Sequence, residues 1–453
     1  MTNLTRRFLL GTAGAATASR PRRGKAAQTI TAWWSQGYYK AEDDALRSAV
    51  AAYEKHSGNK VALAIIPQAD LNTKIIAAMT VGDVPDVVQA VSGNNFTLPQ
   101  GAWDDKLVDC ADVIESQKSE FLPSALASVH GYNNVTKKRF YYGVPIKGST
   151  MMMQSWRPLI QEAGFSDTDI PKTQDAYFTF FETVQEKLRA KGKRIYGLGY
   201  SMASKEADAN NLFHMFLLAY GGAGIVTPDG RLDIENPTVR KAAITAVDRL
   251  TSAHKRGFVP PGAINWGDVD NNNAFFAKQV VMTPNATTSI SAAQKDKPDV
   301  YYKEIISHGI PLGNDGKPVP AAFGVTPIFI PKGAKNIDAA KDFMRFVIQP
   351  AVLNAYLKES QGRWTPVMPS IVKNDPYWLD PADPHVPVAT RQGLETPTIP
   401  AWQIYNPAYA QVVSEQVWPL AEAGVTQKGM TAEQAVDEAI RRIKVIFERY
   451  TIR

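Results

Sequence analysis

The chain has 453 residues, 44% of them hydrophobic and 21% charged. That composition excludes a disordered or fibrous protein, and the length predicts more than one domain, because single cores stop growing at roughly 250–300 residues. The formal charge of +6 would suit a nucleic-acid or membrane partner, but it sits at one end: Arg6, Arg7, Arg20, Arg22, Arg23 and Lys25 fall within the first 28 residues, where no acidic residue occurs. Removing these six from the 50 Lys and Arg leaves 44, equal to the 44 Asp and Glu. The body of the protein is neutral, and nucleic acid is not expected as a partner.

The chain begins with Thr5-Arg6-Arg7-Phe8-Leu9-Leu10 and continues through small, weakly apolar residues to Ser19. A charged start, a short apolar run and small residues are the layout of a cleaved export signal. Paired arginines before Phe-Leu resemble the twin-arginine signal, an address read by a receptor. The apolar run falls short of the ~20 residues that span a bilayer. Ala16-Thr17-Ala18 and Gly24-Lys25-Ala26 both fit a small-x-small cleavage site. The second also removes the basic cluster, so residues 1–27 are expected to be the signal. Cys110 is the single cysteine; it forms no internal disulfide and is expected to be a buried small hydrophobe. Later apolar stretches are interrupted, the richest (Leu212–Val226) by His214 and glycines, which predicts a soluble mature chain.

Thr29–Trp34 reads as a strand, and Ala45, Leu46, Ala49, Val50 and Tyr53 have the spacing of a helix over Glu42–His56 that ends at Gly58. Lys60–Ile66 alternates as a second strand. Asp70 is placed to cap a helix carrying Leu71, Ile75, Ala78 and Met79, which Gly82-Asp83-Val84-Pro85 breaks before an apolar strand over Asp86–Ala90. Strand, helix, strand, helix, strand predicts a parallel α/β sheet. Further strands are expected over Phe140–Ile146, Thr150–Gln154, Tyr196–Tyr200, Val280–Thr283 and Thr326–Ile330. A turn at Thr227-Pro228-Asp229-Gly230 leads into a short strand over Arg231–Ile234. Helices are expected over Thr173–Lys191, Asn211–Ala219, Pro237–Lys255 (capped by Asn236), Asp338–Ile348 and Thr431–Tyr450. The proline-dense segment Met368–Pro400 is expected to be an ordered surface loop.

No local motif announces catalysis or a cofactor. The six histidines are never closer than 40 residues, so no local metal-ligand spacing exists. Asp268-Val269-Asp270-Asn271-Asn272-Asn273 begins like a calcium loop but has Asn273 in place of the glycine and Gln279 in place of the terminal Glu; it is read as a cap for a helix over Asn272–Lys278. Gly197-Leu198-Gly199-Tyr200-Ser201 lacks the second glycine of a nucleophile elbow. An enzyme is not expected. What the chain does carry is a set of tryptophans with polar neighbours at element ends, as in Trp33-Trp34-Ser35-Gln36 and Gly362-Arg363-Trp364-Thr365. In open α/β sheets ligands sit beyond the carboxyl ends of strands, and an aromatic face with amide donors suits the apolar face and hydroxyl edge of a sugar.

Taken in order, these segments resemble the extracellular solute-binding proteins of bacterial ABC importers, in particular the sugar-binding family that includes maltose-binding protein. Ile30-Thr31-Ala32-Trp33-Trp34 is similar to that family's first strand, and Lys74–Gln89, with Gly82-Asp83-Val84-Pro85-Asp86, to its helix–G-D-x-P-D–strand segment. Tyr142-Gly143-Val144-Pro145 resembles its first crossover and Asn273–Asn285 its N-A-F…K…M…N stretch. Gly324–Phe346, with Pro331-Lys332-Gly333-Ala334, resembles its late strand and helix, and Gly362–Val367 its last loop. Trp156 and Pro158 depart from the family's Asn-Lys-Asp run, and Thr287 stands near a frequent Trp.

The resemblance implies a class II type periplasmic binding protein fold: two α/β lobes joined by crossing hinge strands, with the ligand between them. The expected lobes are residues 28–146 with 309–348 and residues 149–304 with 352–453. It also implies a monomeric periplasmic protein that binds a sugar, oligosaccharide or polyol, closes on it by hinge motion, and hands it to a cognate permease in the inner membrane. The runner-up is a secreted carbohydrate-active enzyme. The candidate ligand-binding residues are Trp34, Gln36 and Gln89 from the first lobe; Tyr200, Tyr220, Gly221 (with Gly222), Trp266 and Asn285 from the second; and Phe323, Gly324, Arg363 and Trp364 from the returning segments. Trp402 ranks below these because prolines flank it. Arg363 and Lys147 fall near the expected cleft and leave a charged sugar derivative open.

Overall fold

The computed structural model describes residues 27–91, 96–204 and 207–452; the expected export signal lies outside them, apart from Ala27. The strands, in chain order, are β1 (Thr29–Ser35), β2 (Lys60–Ile66), β3 (Val87–Gln89), β4 (His130–Asn133), β5 (Lys138–Tyr141), β6 (Val144–Ser149), β7 (Met152–Trp156), β8 (Tyr196–Leu198), β9 (Val280–Asn285), β10 (Ile305–His308), β11 (Ala321–Phe329) and β12 (Thr398–Pro400). β1 pairs in parallel with β2 and β3, and β11 runs antiparallel to β3 and β6. A second sheet has the order β10-β7-β9-β8, and β4 and β5 form a separate hairpin.

Two hydrophobic cores follow from the two sheets. Ile30, Ala32 and Trp34 alternate on the inner face of β1 and pack with Ala45, Leu46, Val50 and Tyr53 of the helix Lys40–Ser57. The second core gathers Met153 and Trp156 of β7, the helices Gln174–Ala190, Ala207–Ala219 and Pro237–Lys255, and the C-terminal helices Pro407–Ser414, Val417–Gln427 and Ala432–Phe447. The chain passes between the cores at 146–151, at Ala322–Phe323 and between 394 and 404; residues 310 and 319, expected in the first lobe, pack with the second core. β11 serves both: Ala322 packs against the second core, while Phe323, Val325, Ile328 and Phe329 belong to the first.

The first helix ends as its sequence predicts, with Gly58 at φ +76° donating to the Glu54 carbonyl at 2.9 Å. Asn236 caps the helix Pro237–Lys255 through a 3.0 Å bond from Thr238 N. Cys110 is fully buried, and burial pushes its thiol up to about 12.

Several expectations are corrected. Asp70 is not a cap: the helix Gln68–Val81 starts two residues earlier behind Pro67, leaving Asp70 in its first turn. The expected strand over Phe140–Ile146 is interrupted at Tyr142-Gly143, where the chain leaves the hairpin to join the first sheet. Arg231–Ile234 contributes only a bridge from Leu232 to Val226. Asp268 caps no helix; the helix is Asp270–Phe276, and Asp270 accepts from Gly267 N at 2.7 Å.

Met368–Pro400 is not irregular throughout. It contains the helices Pro369–Asn374 and Val386–Leu394, a 3₁₀ turn Pro376–Leu379 and β12. Pro369, Pro376 and Pro387 stand at the starts of these turns, where a missing N–H costs nothing. Helix Pro350–Glu359 places Leu353, Tyr356 and Leu357 in the first core, and Trp378 and Val386 follow them there. Residues 350–386 thus pack with the first sheet, not with the second lobe to which 352–453 was assigned.

Asp86 ties this lobe together. Its carboxylate accepts from Thr31 N at 2.8 Å on β1, and from Lys335 N at 2.9 Å and Asn336 N at 2.8 Å before the helix Ile337–Val347. Burial alone would raise its pKa, but these donors hold it below the ordinary carboxylate range. Asp86→Ala leaves those partly buried N–H groups unpaired and is expected to lower stability by about 2–3 kcal/mol, measured by denaturant unfolding at pH 7.

Candidate functional site

The strand ends of the first sheet face the second lobe across a cleft. β1 runs out at Trp34-Ser35-Gln36; its end is pinned to β3 by Ser35 N donating to Gln89 Oε1 at 3.1 Å and by Ser35 Oγ accepting from Val91 N at 3.1 Å. The cleft has two connected chambers, enclosing about 1450 Å³ and about 730 Å³ of solvent-open space, which share Tyr38, Gln68, Val91, Asp268 and Arg363.

The larger chamber is mixed in character. Trp364, Trp402, Tyr38, His214 and Met215 supply aromatic and soft apolar surface, and Thr150, Asn272, Asn285, Thr287 and Gln403 supply amides and hydroxyls. The polar groups are preoriented. Asn285 donates to Asn272 Oδ1 at 2.8 Å and accepts from Thr287 N at 3.1 Å, while Trp402 Nε1 donates to the Ala223 carbonyl at 2.9 Å. His214 hydrogen-bonds Tyr409 Oη at 2.9 Å, and burial lowers its pKa to about 3, so the ring is neutral. Hydrogen bonds that cross between the lobes inside the cleft include Asn272 Nδ2 to Tyr38 Oη at 3.3 Å and Arg363 Nε to Thr287 Oγ1 at 3.4 Å.

The smaller chamber is built around charge. Glu42, 3% exposed, accepts from Tyr38 N at 2.9 Å, Arg363 Nη1 at 2.6 Å and Trp364 Nε1 at 2.8 Å. Burial pushes its pKa up, but Arg363, Lys147 and the Trp364 and Arg363 hydrogen bonds outweigh this and hold the carboxyl below its usual range. Lys147, 4% exposed, comes from β6. Its ammonium lies 4.9 Å from the Tyr356 ring centre and 5.2 Å from that of Trp364. Burial lowers its pKa to about 8, with Glu42 opposing the shift and Arg363 adding to it. At the mouth, burial raises the carboxyl of Asp268, and Arg363 partly offsets the shift.

Of the residues expected from sequence, Trp34, Gln36, Asn285, Gly324, Arg363 and Trp364 line the cleft. Trp34 is only 1% exposed, and its Nε1 donates to Tyr356 Oη at 3.3 Å, so it walls the smaller chamber from the core side. The others do not line it. Gln89 is buried, with its carbonyl oxygen used by Ser35. Tyr200 is buried and donates to the Leu250 carbonyl at 3.1 Å, and Tyr220 donates to Asp175.

Gly221, at φ +94°, and Gly222 turn the chain after the helix Ala207–Ala219; a side chain at Gly222 would strike Leu217. Trp266 packs against the second core, and Phe323 is fully buried with its ring against Gly148. The sequence reading overlooked Tyr38, Glu42, Asn272 and His214. Tyr38 follows the strand end already recognised, but Glu42 lies on a helix face that reads as solvated until Arg363 is brought to it.

Residues 48–387 match the bacterial extracellular solute-binding proteins, and the chain belongs to that family. A "Probable ABC transporter-binding protein" of Deinococcus radiodurans is 24% identical over 178 residues, 39% of this chain and 40% of that protein, so the chain spans less than half the length of that relative. Solved structures with the same fold include an ABC transporter solute-binding protein of Thermotoga lettingae with bound α-D-tagatose (21% identical, TM-score 0.73, covering 93% of this chain and 100% of that one). Maltose-bound MalE3 of T. maritima is 18% identical, with TM-score 0.73 and the same coverage. A sugar transporter protein of Arthrobacter chlorophenolicus with laminaribiose is 18% identical, with TM-score 0.71, covering 92% of this chain and 99% of that one. The fold is the two-lobed α/β fold of these binding proteins.

Two substitutions read out the charged chamber. Glu42→Ala leaves the Arg363 guanidinium, whose side chain is 15% exposed, without its carboxylate, and is expected to cost about 3–5 kcal/mol in unfolding experiments. Lys147 titrates lower in the folded chain than in the unfolded one. The folded state therefore holds fewer protons between about pH 8 and the unfolded value of ~10.4, and stability rises with pH through that window. Lys147→Met is accordingly expected to stabilise the ligand-free protein by about 1–3 kcal/mol at pH 7, with the gain shrinking towards pH 10 in thermal melts.

Proposed function

We propose that this protein is the periplasmic solute-binding component of an ABC importer, capturing a sugar, oligosaccharide or polyol and delivering it to a membrane permease. The observation that carries this reading is a cleft between two separately packed cores, edged by Trp364, Trp402 and Tyr38 and furnished with fixed amides and hydroxyls. Rings meet the apolar face of a sugar, and oriented amides meet its hydroxyls. The crossings between the cores are few and extended, which suits hinge closure. A ligand touching both lobes would favour the closed form by its differential contacts alone, displacing the Asn272–Tyr38 bond. The bound sugars in the related structures support the ligand class, and the relative's name supports the transporter context.

On this reading the protein binds without catalysis, acts as a monomer and needs no cofactor. Export by the twin-arginine route rests on Arg6-Arg7-Phe8-Leu9.

The test is a thermal-shift and tryptophan-fluorescence panel on the mature protein, using tagatose, maltose, laminaribiose, other oligosaccharides and polyols. A true ligand at a hundredfold excess over Kd is expected to add about 2.7 kcal/mol of stability, and Asn285→Ala to weaken that ligand by about tenfold or more. No shift across the panel overturns the carbohydrate reading, and hydrolysis of a panel member moves the protein to the secreted enzymes.

A further inference from the structure

The smaller chamber contains a group that carbohydrate binding in general does not explain. Lys147 is nine-tenths buried and lines the chamber. Among the described residues no carboxylate, carbonyl or hydroxyl accepts from its ammonium. Three carboxylates also line the chamber, two of them engaged by other donors. Glu42 is taken up by Arg363, Trp364 and the Tyr38 N–H. Asp43 accepts from Gly37 N at 2.8 Å, and Asp268 stands at the mouth. The rings of Tyr356 and Trp364 flank the ammonium, and the Tyr356 hydroxyl already accepts from Trp34 Nε1. Arg363 also has donors to spare: its Nη1 reaches Glu42 and its Nε reaches Thr287 Oγ1 at 3.4 Å, while Nη2 has no acceptor among the described residues.

Lys147 reaches this position through a break in strand pairing. It stands opposite Thr326, but Pro145 stands opposite Pro327, so Ile146 is an extra residue on β6. A one-residue slip exchanges the two faces of a strand. Lys147 and Pro145 therefore no longer share a face, and the long cationic side chain is turned to the chamber instead of following Pro145.

An ammonium that faces the chamber without a protein acceptor, on a side chain so largely removed from water, is held at a cost to the empty protein. A sugar hydroxyl would satisfy one N–H but leave the charge unpaired, whereas a carboxylate both accepts from the ammonium and neutralises it. We propose that the smaller chamber is a subsite for an acidic group, and that the ligand is a sugar acid or an oligosaccharide carrying a carboxylate, held by Lys147 with Arg363 beside it. This rests on the carbohydrate reading above and narrows it to a class.

The experiment compares matched pairs by calorimetry on the mature protein: glucose with glucuronate, galactose with galacturonate, and neutral disaccharides with their uronate counterparts. The acid of a pair is expected to bind at least tenfold more tightly than its neutral parent. Lys147→Met, checked for fold by circular dichroism and replaced by Lys147→Gln if it fails to fold, is expected to erase that preference; Lys147→Arg is expected to retain part of it. Neutral sugars binding as tightly as the acids would overturn the acidic subsite and leave carbohydrate binding standing. An acid preference that survives Lys147→Met would overturn the assignment to Lys147. Binding of neither member of any pair would overturn the carbohydrate reading and this inference with it.

Discussion

The carboxylate of Glu42 is the constraint on which the site depends. It lies in the first turn of the first long helix, yet two of its three donors come from Arg363 and Trp364, more than 300 residues later in the chain. Those bonds fold the returning loop down over the first sheet, set the Trp364 ring against the cleft, and fix the guanidinium between the two chambers. The same loop is fastened to the other lobe: Thr288 Oγ1 donates to the Gly362 carbonyl at 3.2 Å, and Lys295 Nζ to the Gln361 carbonyl at 2.8 Å. His385 adds a further anchor, donating from Nε2 to the Tyr301 carbonyl at 2.7 Å. One loop thus carries cleft side chains while being held from both sides, so a change at the cleft is felt where the lobes meet.

The two chambers divide the work of recognition. In the larger one, rings and prealigned amides present a surface that is indifferent to charge and sensitive to shape. In the smaller one, the Glu42–Arg363 pair is internally balanced, and Lys147 is a cation without a hydrogen-bond acceptor among the described residues. Placing an unmatched cation under two aromatic faces lowers the stability of the empty protein, an arrangement found where binding and stability are in conflict.

The fold was legible in the sequence wherever periodicity and local punctuation decide structure. β1, β2, the helices they flank, Gly58 and the Asn236 cap all follow from spacing a few residues long. The proline-dense tail was misread because proline breaks helices in their interiors but opens them at their first turn, and Pro369, Pro376 and Pro387 do the latter. The start of the segment 352–453 is expected in the wrong lobe because the partner of the helix Pro350–Glu359, the helix Lys40–Ser57, is distant in sequence. The site was legible by half for the same reason. Trp34, Asn285 and Trp364 stand at element ends with polar neighbours and reach the cleft. Tyr200 and Trp266 have similar surroundings but are held within or against the second core, and nothing local separates the two cases. Glu42 and Lys147 are defined by contacts across the whole chain, and Lys147 also by the slip at Ile146.

β11 carries a consequence for how the molecule comes into being. It lies between β3 and β6 and touches both cores, yet it is not made until residue 329. A ribosome that has reached residue 300 has produced β1, β2 and β3, which pair with one another, and β6 with no strand to join it to them, and has yet to make the C-terminal helices that close the other lobe. Neither half can mature as an early, independent unit. Assembly waits for nearly the whole polypeptide, and the binding cleft is among the last features to exist.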